Sequence, residues 1–367
     1  MARIRRIWLS LIILTSSTAA RGADWPQSRG PNRDGKSAET ALLRKWPEGG
    51  PRLLWSVGGL GTGFSSVAVA NGIIYTTGMS DAQGFLFAYD LDGKLRFKVP
   101  YGPEWRGSHR GTRTTPTVDG EKVYCTPGGP DGVIVALDKM TGQTVWATTG
   151  VEELSAYCSP ILIQRGPNRL LVNMIQKSII CVRAEDGRLL WQVPYAASYD
   201  TAANTPVYSD GMLYVTSIVE REATTGGLML ELAAGGTSVT TRWTDQRLDC
   251  HHGGVVLVDG YLYGSNFKGI TRGDWVCLEW RTGKVMYEAR WNGNKGSLIY
   301  ADGMLYCYDE NTGDVGLVRA SPAGFEMVSS FRVTAGSGEH WAHPAISDGR
   351  LYIRHGNALM VYDIRDG

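Results

Sequence analysis

The stretch VAVANGIIY, residues 67–75, is two short apolar runs joined by Asn71-Gly72. Asn-Gly supplies the two positive-φ residues that a tight two-residue turn needs, so the stretch reads as a β-hairpin. The same spelling returns as Asp119-Gly120, Asp210-Gly211, Asp259-Gly260, Asp302-Gly303 and Asp348-Gly349, with Gly166-Pro167-Asn168 in the place between the second and third. These turns recur about every 46 residues, a period that belongs to repeat architectures. A second turn follows each hairpin, at Gly93, Gly142, Gly187, Gly236, Gly283 and Gly324. After it comes an aromatic residue: Phe97, Trp146, Trp191, Trp243, Tyr287 and Phe331. Each unit therefore holds four strands, which is the blade of a β-propeller; a β-solenoid would repeat faster.

The seventh unit stops at YDIRDG, residues 362–367, where its fourth strand is due. RLLW at 52–55 repeats RLLW at 188–191 and stands before the first complete unit. Placed on the last unit, it would close a ring of seven four-stranded blades and leave no open sheet edge. Composition agrees with an all-β fold: 47 Gly, 17 Tyr and 12 Trp in 367 residues are turn-rich and aromatic. With 37 basic against 36 acidic residues, the chain offers no electrostatic footprint for nucleic acid.

Arg3, Arg5 and Arg6, an apolar run over residues 7–14 and small residues through Ala19, Ala20 and Ala23 have the three-part layout of a secretory signal peptide. That run is far short of a membrane span, and no Cys lies near the cleavage region to carry a lipid anchor. The expected organisation is a signal peptide over 1–23, an N-terminal arm over 24–50 and one propeller domain over 51–367, periplasmic or secreted and monomeric. The six cysteines, Cys125, Cys158, Cys181, Cys250, Cys277 and Cys307, form no C-x-x-C pair; buried free thiols are expected.

ALDKMTGQTVW at 136–146 resembles the tryptophan-docking repeat A-x-D-x-x-T-G-x-x-x-W of quinoprotein-type propellers, and CVRAEDGRLLW at 181–191 and CLEWRTGKVMY at 277–287 are degenerate copies of equal length. DWPQSRGPNRDG (24–35), HHGGVVLVDGYLYGSN (251–266), KGSLIYADGMLY (295–306) and WAHPAISDGRLYIR (341–354) resemble exported bacterial PQQ-like repeat proteins of the alcohol dehydrogenase-like and BamB-like kinds. The resemblance implies structural docking roles for Trp55, Trp146, Trp191 and Trp243. It also implies eight blades, against the seven counted in this chain.

In a four-stranded blade the tight turns share one face of the disc, and the variable loops, residues 79–84 among them, share the other. Loops joining successive blades end at the channel mouth, which places there Arg110, Arg113, Tyr157, Ser159, Asn204, His251, His252, Lys295, Ser297, Trp341 and His343. Such a ring suits an anionic, planar or sugar-like ligand. Each member also has a plain role: Lys295 pointing into water, the histidines in hydrogen bonds between blades, His340 and His355 as ordinary loop residues. Of the remaining tryptophans, Trp105, Trp275 and Trp341 are the ones expected to be open to a ligand. No metal-ligand spacing and no nucleophile-elbow motif occurs, so no metal is expected. The expected function is a soluble exported propeller that binds or scaffolds through its loop face and channel mouth. Its partner would be an envelope protein or a glycan or other small molecule. The alternative implied by the resemblance is a PQQ-dependent alcohol or sugar dehydrogenase with calcium.

Overall fold

The computed structural model describes residues 23–367 except 105, 121, 126–134, 138–143, 154–155, 196, 199–200 and 219–225. Seven successive antiparallel units follow one another, and no α-helix appears among the described residues. Their innermost strands are Ala68–Ala70, Thr117–Asp119, Ile161–Arg165, Val207–Ser209, Val256–Val258, Gly296–Ala301 and Ala345–Ser347, here called the starts of blades 1 to 7. Blades 1, 3, 4, 5 and 6 are four-stranded sheets ordered as in the chain. Blade 2 contributes two strand pairs, Thr117–Asp119 with Lys122–Tyr124 and Val135–Leu137 with Thr144–Ala147. In blade 7 the outermost strand is Arg52–Val57, paired antiparallel with Ala358–Asp363. The chain thus has seven blades, one fewer than the resemblance implies.

The turns have the geometry their residues require. Asn71-Gly72, Asp210-Gly211, Asp259-Gly260, Asp302-Gly303 and Asp348-Gly349 all have positive φ at both positions, as a type I′ turn demands. Residues 79–84 are not a long loop: the strands Ile73–Ser80 and Gln83–Asp90 run up to Asp81-Ala82, both at positive φ. Register explains the docking pattern. Ala88 opposes Phe97, Ala136 opposes Trp146, Cys181 opposes Trp191, Cys277 opposes Tyr287 and Val361 opposes Trp55, each beside a one-residue bulge. A bulge kinks the outer strand and re-aims its side chain. The rings turn onto the following blade. Trp55 Nε1 donates to Leu91 O at 2.8 Å, Trp146 Nε1 to Ala184 O at 3.1 Å and Trp191 Nε1 to Gly236 O at 3.0 Å. Gly93, Gly187 and Gly283 make room: a Cβ on each would lie within 2.7 Å of the Trp55, Trp146 and Trp243 rings respectively. In blade 6 the aromatic is displaced, because Ser329 occupies the position beside the bulge and Phe331 pairs two residues on with Val315.

Residues 23–39 cross the axis of the disc. Trp25 and Val69 exchange backbone hydrogen bonds in blade 1, and Pro26 O accepts from Val118 N in blade 2. Arg29 then reaches Val255 O beside blade 5, Lys36 Nζ reaches Leu257 O of blade 5, and Gly35 and Ser37 bracket Tyr300 of blade 6. The Glu39 carboxylate accepts from the Asp348 and Gly349 amides of blade 7. One short segment can bond the innermost strands of blades 1, 2, 5 and 6 only by lying across the channel, so the arm forms its floor and the loop face is left as the open end.

Candidate functional site

At the open end, loops from five blades converge. His251 and His252 end the connection into blade 5, Lys295 ends that into blade 6, and Trp341 and His343 end that into blade 7, as the repeat register predicts. Trp341 lies 5.0 Å from Phe64, 4.8 Å from His109 and 5.3 Å from His252, centroid to centroid. His251 and His252 are 4.5 Å apart, and His251 meets Phe267 edge-on at 5.5 Å. His109 Nδ1 stands 3.6 Å from the Glu339 carboxylate.

Beneath these rings is a buried ion pair that sequence reading missed. Lys295 does not point into water: its side chain is 2% exposed and donates to Glu310 Oε1. It also lies 3.4 Å from His251 Nδ1, and Glu310 Oε2 lies 3.4 Å from His252 Nε2. Glu310 enters from the loop between the second and third strands of blade 6, not from a connection between blades. The only hint is its place next to Asp309, at the end of a strand on that face. Burial pushes the Glu310 carboxyl up to about 7, although Lys295 opposes the shift. Burial, and then the charge of Lys295, holds His251 down to about 3, and His252 well below the usual imidazole range, where its neighbour His251 adds to the effect. Both imidazoles are therefore neutral at physiological pH.

Other predicted site residues turn out to be structural. The Asn204 amide donates to the carbonyls of Thr216, Cys250 and His251 and accepts from Gly254 N, so its hydrogen-bonding capacity is spent on joining blades 4 and 5. His343 Nε2 donates to His252 O at 2.7 Å, a bond between blades as expected. Trp275 is 2% exposed and belongs to the core with Tyr263 and Cys307, so it is closed to ligand. His340 and His355 are buried and stacked at 3.6 Å, and His340 Nδ1 takes the Tyr308 hydroxyl; they are packing residues of blade 7 rather than loop surface. Trp105 lies outside the described residues. All six cysteines are free thiols, four of them buried.

What remains accessible is a rim. Tyr157 is 52% exposed, and the Arg113 guanidinium lies 5.1 Å over its ring while donating to Ser108 O and His109 O. Arg110 is exposed beside them, and Trp341 is half-buried across the mouth. Calcium does not fit this donor set. Glu310, the carboxylate inside the mouth, is engaged by Lys295, and no three acidic, His or Cys side chains converge on one point among the described residues. Calcium needs a cage of several oxygens.

The family profile described as outer membrane protein assembly factor BamB matches residues 46–286, well over half of the chain. Among solved structures, BamB from Moraxella catarrhalis is similar at 21% identity, covering 84% of this chain and 86% of that one with a TM-score of 0.51. The Pan2 WD40 domain of Neurospora crassa covers 90% and 98% at 10% identity and a TM-score of 0.55, and Sqt1 of Saccharomyces cerevisiae covers 89% and 99% at 9% and 0.52. At such identities these likenesses establish the propeller fold. No match was found among curated proteins.

Proposed function

The chain belongs to the family of the outer membrane protein assembly factor BamB, and on that footing we propose that it is an exported, non-catalytic propeller of the cell envelope that seats a protein partner on its loop face. The reading includes a cleaved segment over residues 1–23, a channel-crossing arm over 24–50 and a monomeric working state. One observation carries it. At the mouth Lys295 and Glu310 are buried and spent on one another, while the accessible side chains include Tyr157, Arg113, Arg110 and Trp341, with the exposed pair His109 and Glu339 beside Trp341. Tyr, Trp and Arg are the types that dominate the energetics of protein interfaces, because they bury much area at low entropic cost or bond through several donors. The floor made by residues 24–39 supports the same reading, since it leaves a one-sided platform in place of a through-channel. Among the described residues no helix is long and apolar enough to cross a membrane.

The test is site-specific photo-crosslinking in the native envelope, with the photoreactive residue at 157 or 341 and, as control, at 210 on the turn face. One discrete protein adduct from 157 and 341, absent at 210 and, for the probe at 341, lost in the Arg113→Ala/Tyr157→Ala background, is the expected result. Equal labelling from both faces would overturn the reading. So would saturable binding of PQQ with calcium to the purified protein.

A further inference from the structure

His355 ends the second strand of blade 7, Arg350–His355, and is buried. Its two ring nitrogens both meet backbone carbonyls of one loop: Nδ1 lies 2.9 Å from Ala335 O and Nε2 lies 2.8 Å from Gly338 O. Among the described residues no other histidine has a carbonyl against each ring nitrogen. The loop is pressed onto the ring: a Cβ on Gly336 would lie 2.8 Å from His355 Nδ1, and one on Gly356 would collide with Ser337 O. A neutral imidazole donates from one nitrogen and accepts at the other, so it satisfies one of these carbonyls and sets a lone pair against the second. The imidazolium donates to both. The clamp is therefore complete only when the ring carries two protons.

The ionisable groups around the ring come from three elements. His340 stacks on it at 3.6 Å, and burial, then the charge of His355, holds His340 down to about 4. Tyr308 bonds His340, and Asp309 and Asp314 of blade 6 act on His340 in the opposite direction, as carboxylates that favour positive charge there. Arg354, the preceding residue of the strand, is 1% exposed but points away, sealed in the seam between blades 7 and 1, where it donates to Ser65 Oγ at 2.6 Å. On the loop itself, Glu339 faces His109 at 3.6 Å. From Gly338 the loop runs directly to Trp341, which packs on His109 and His252 at the mouth. We propose that His355 is a positioning residue for the loop-face platform: as an imidazolium it clamps residues 335–338 and so fixes Trp341, and loss of its second proton as pH rises through the imidazole range releases one end of the loop. Partner capture then strengthens in mildly acidic surroundings, because a fixed Trp341 has less freedom to lose on binding. That consequence rests on the binding reading above; the clamp does not.

Amide hydrogen exchange of residues 336–341 in the whole mature protein, divided by the intrinsic rate at each pH, measures the clamp with no partner present. Between about pH 5.5 and pH 8, protection is expected to fall about fivefold, the factor that one hydrogen bond of ordinary strength gives. His355→Asn puts an uncharged amide near the place of Nδ1 and nothing at Nε2, so it should show the lower protection at both pH values. His109→Gln removes the other titrating group beside the loop and should keep the wild-type response. Unchanged wild-type protection, or a change that His109→Gln abolishes, would overturn the clamp. So would a change that persists in His355→Asn, since Glu310, raised to about 7, titrates in the same interval. In spectra of histidine-labelled wild-type protein at about pH 5.5, one ring with two slowly exchanging N–H protons is expected, and its absence counts against the clamp even if His355→Asn fails to fold. The adduct from a photoreactive residue at 157 should be stronger at the lower pH. Equal yields would overturn the link to partner capture, whereas no adduct at either pH would overturn the binding reading and leave the clamp standing.

Discussion

Lys295 shows how far a side chain's fate can depart from its local setting. Flanked by Gly293 and Gly296, it reads as an exposed cation, yet it is buried against Glu310 because two loops distant in sequence close over it. Removing one member of such a pair strands the other charge. Lys295→Met is therefore expected to destabilise the protein by about 3 kcal/mol in denaturant titrations at pH 8. Lys295→Met/Glu310→Leu should recover most of the loss, since an apolar pair of similar volume has no desolvation penalty to overcome. The sign of the pH dependence follows from the carboxyl. Glu310 is raised above its unfolded value, so its ionisation costs stability as pH rises through the raised range, and without Lys295 this cost grows. The deficit of the single variant should accordingly shrink between pH 8 and pH 5, and a deficit independent of pH would contradict the buried-pair account.

At the scale of the element, docking geometry was legible and docking quality was not. The aromatic after each second turn is visible in the sequence, but its burial depends on the blade it meets. Trp191 is buried, with its indole bonded to Gly236 O, whereas Phe97, at the equivalent position of blade 1, is 40% exposed. Trp191→Ala should cost about 3–5 kcal/mol and Phe97→Ala much less, because the first leaves a cavity and the second returns a half-wet ring to water. Comparable losses in chemical denaturation would show that Phe97 is docked in solution. The shared register position opposite the docking residue also explains Cys181 and Cys277. They stand in register where Ala88 and Ala136 stand, opposite the docking aromatic, and both are fully buried as free thiols, so they are packing residues.

Across the whole molecule, the outermost strand of blade 7 comes from the other end of the domain. Arg52–Val57 pairs with Ala358–Asp363, and Trp55 from that strand donates to Leu91 of blade 1. If these contacts close the ring, a defect there is global. Trp55→Ala should lower the unfolding midpoint in one cooperative transition and reduce amide protection in blades 1 and 7 together. Loss of protection in blade 7 alone, with an unchanged global midpoint, would show an open ring. Sequence alone determined the turns and the seven four-stranded units, because hairpin chemistry and the blade repeat are local and periodic. Tertiary structure alone decided that the arm lies across the channel, that Glu310 neutralises Lys295 and that Arg354 is sealed in the seam. Those outcomes rest on contacts between residues 15 to 289 positions apart, where burial sets the electrostatics and no local pattern encodes the partner.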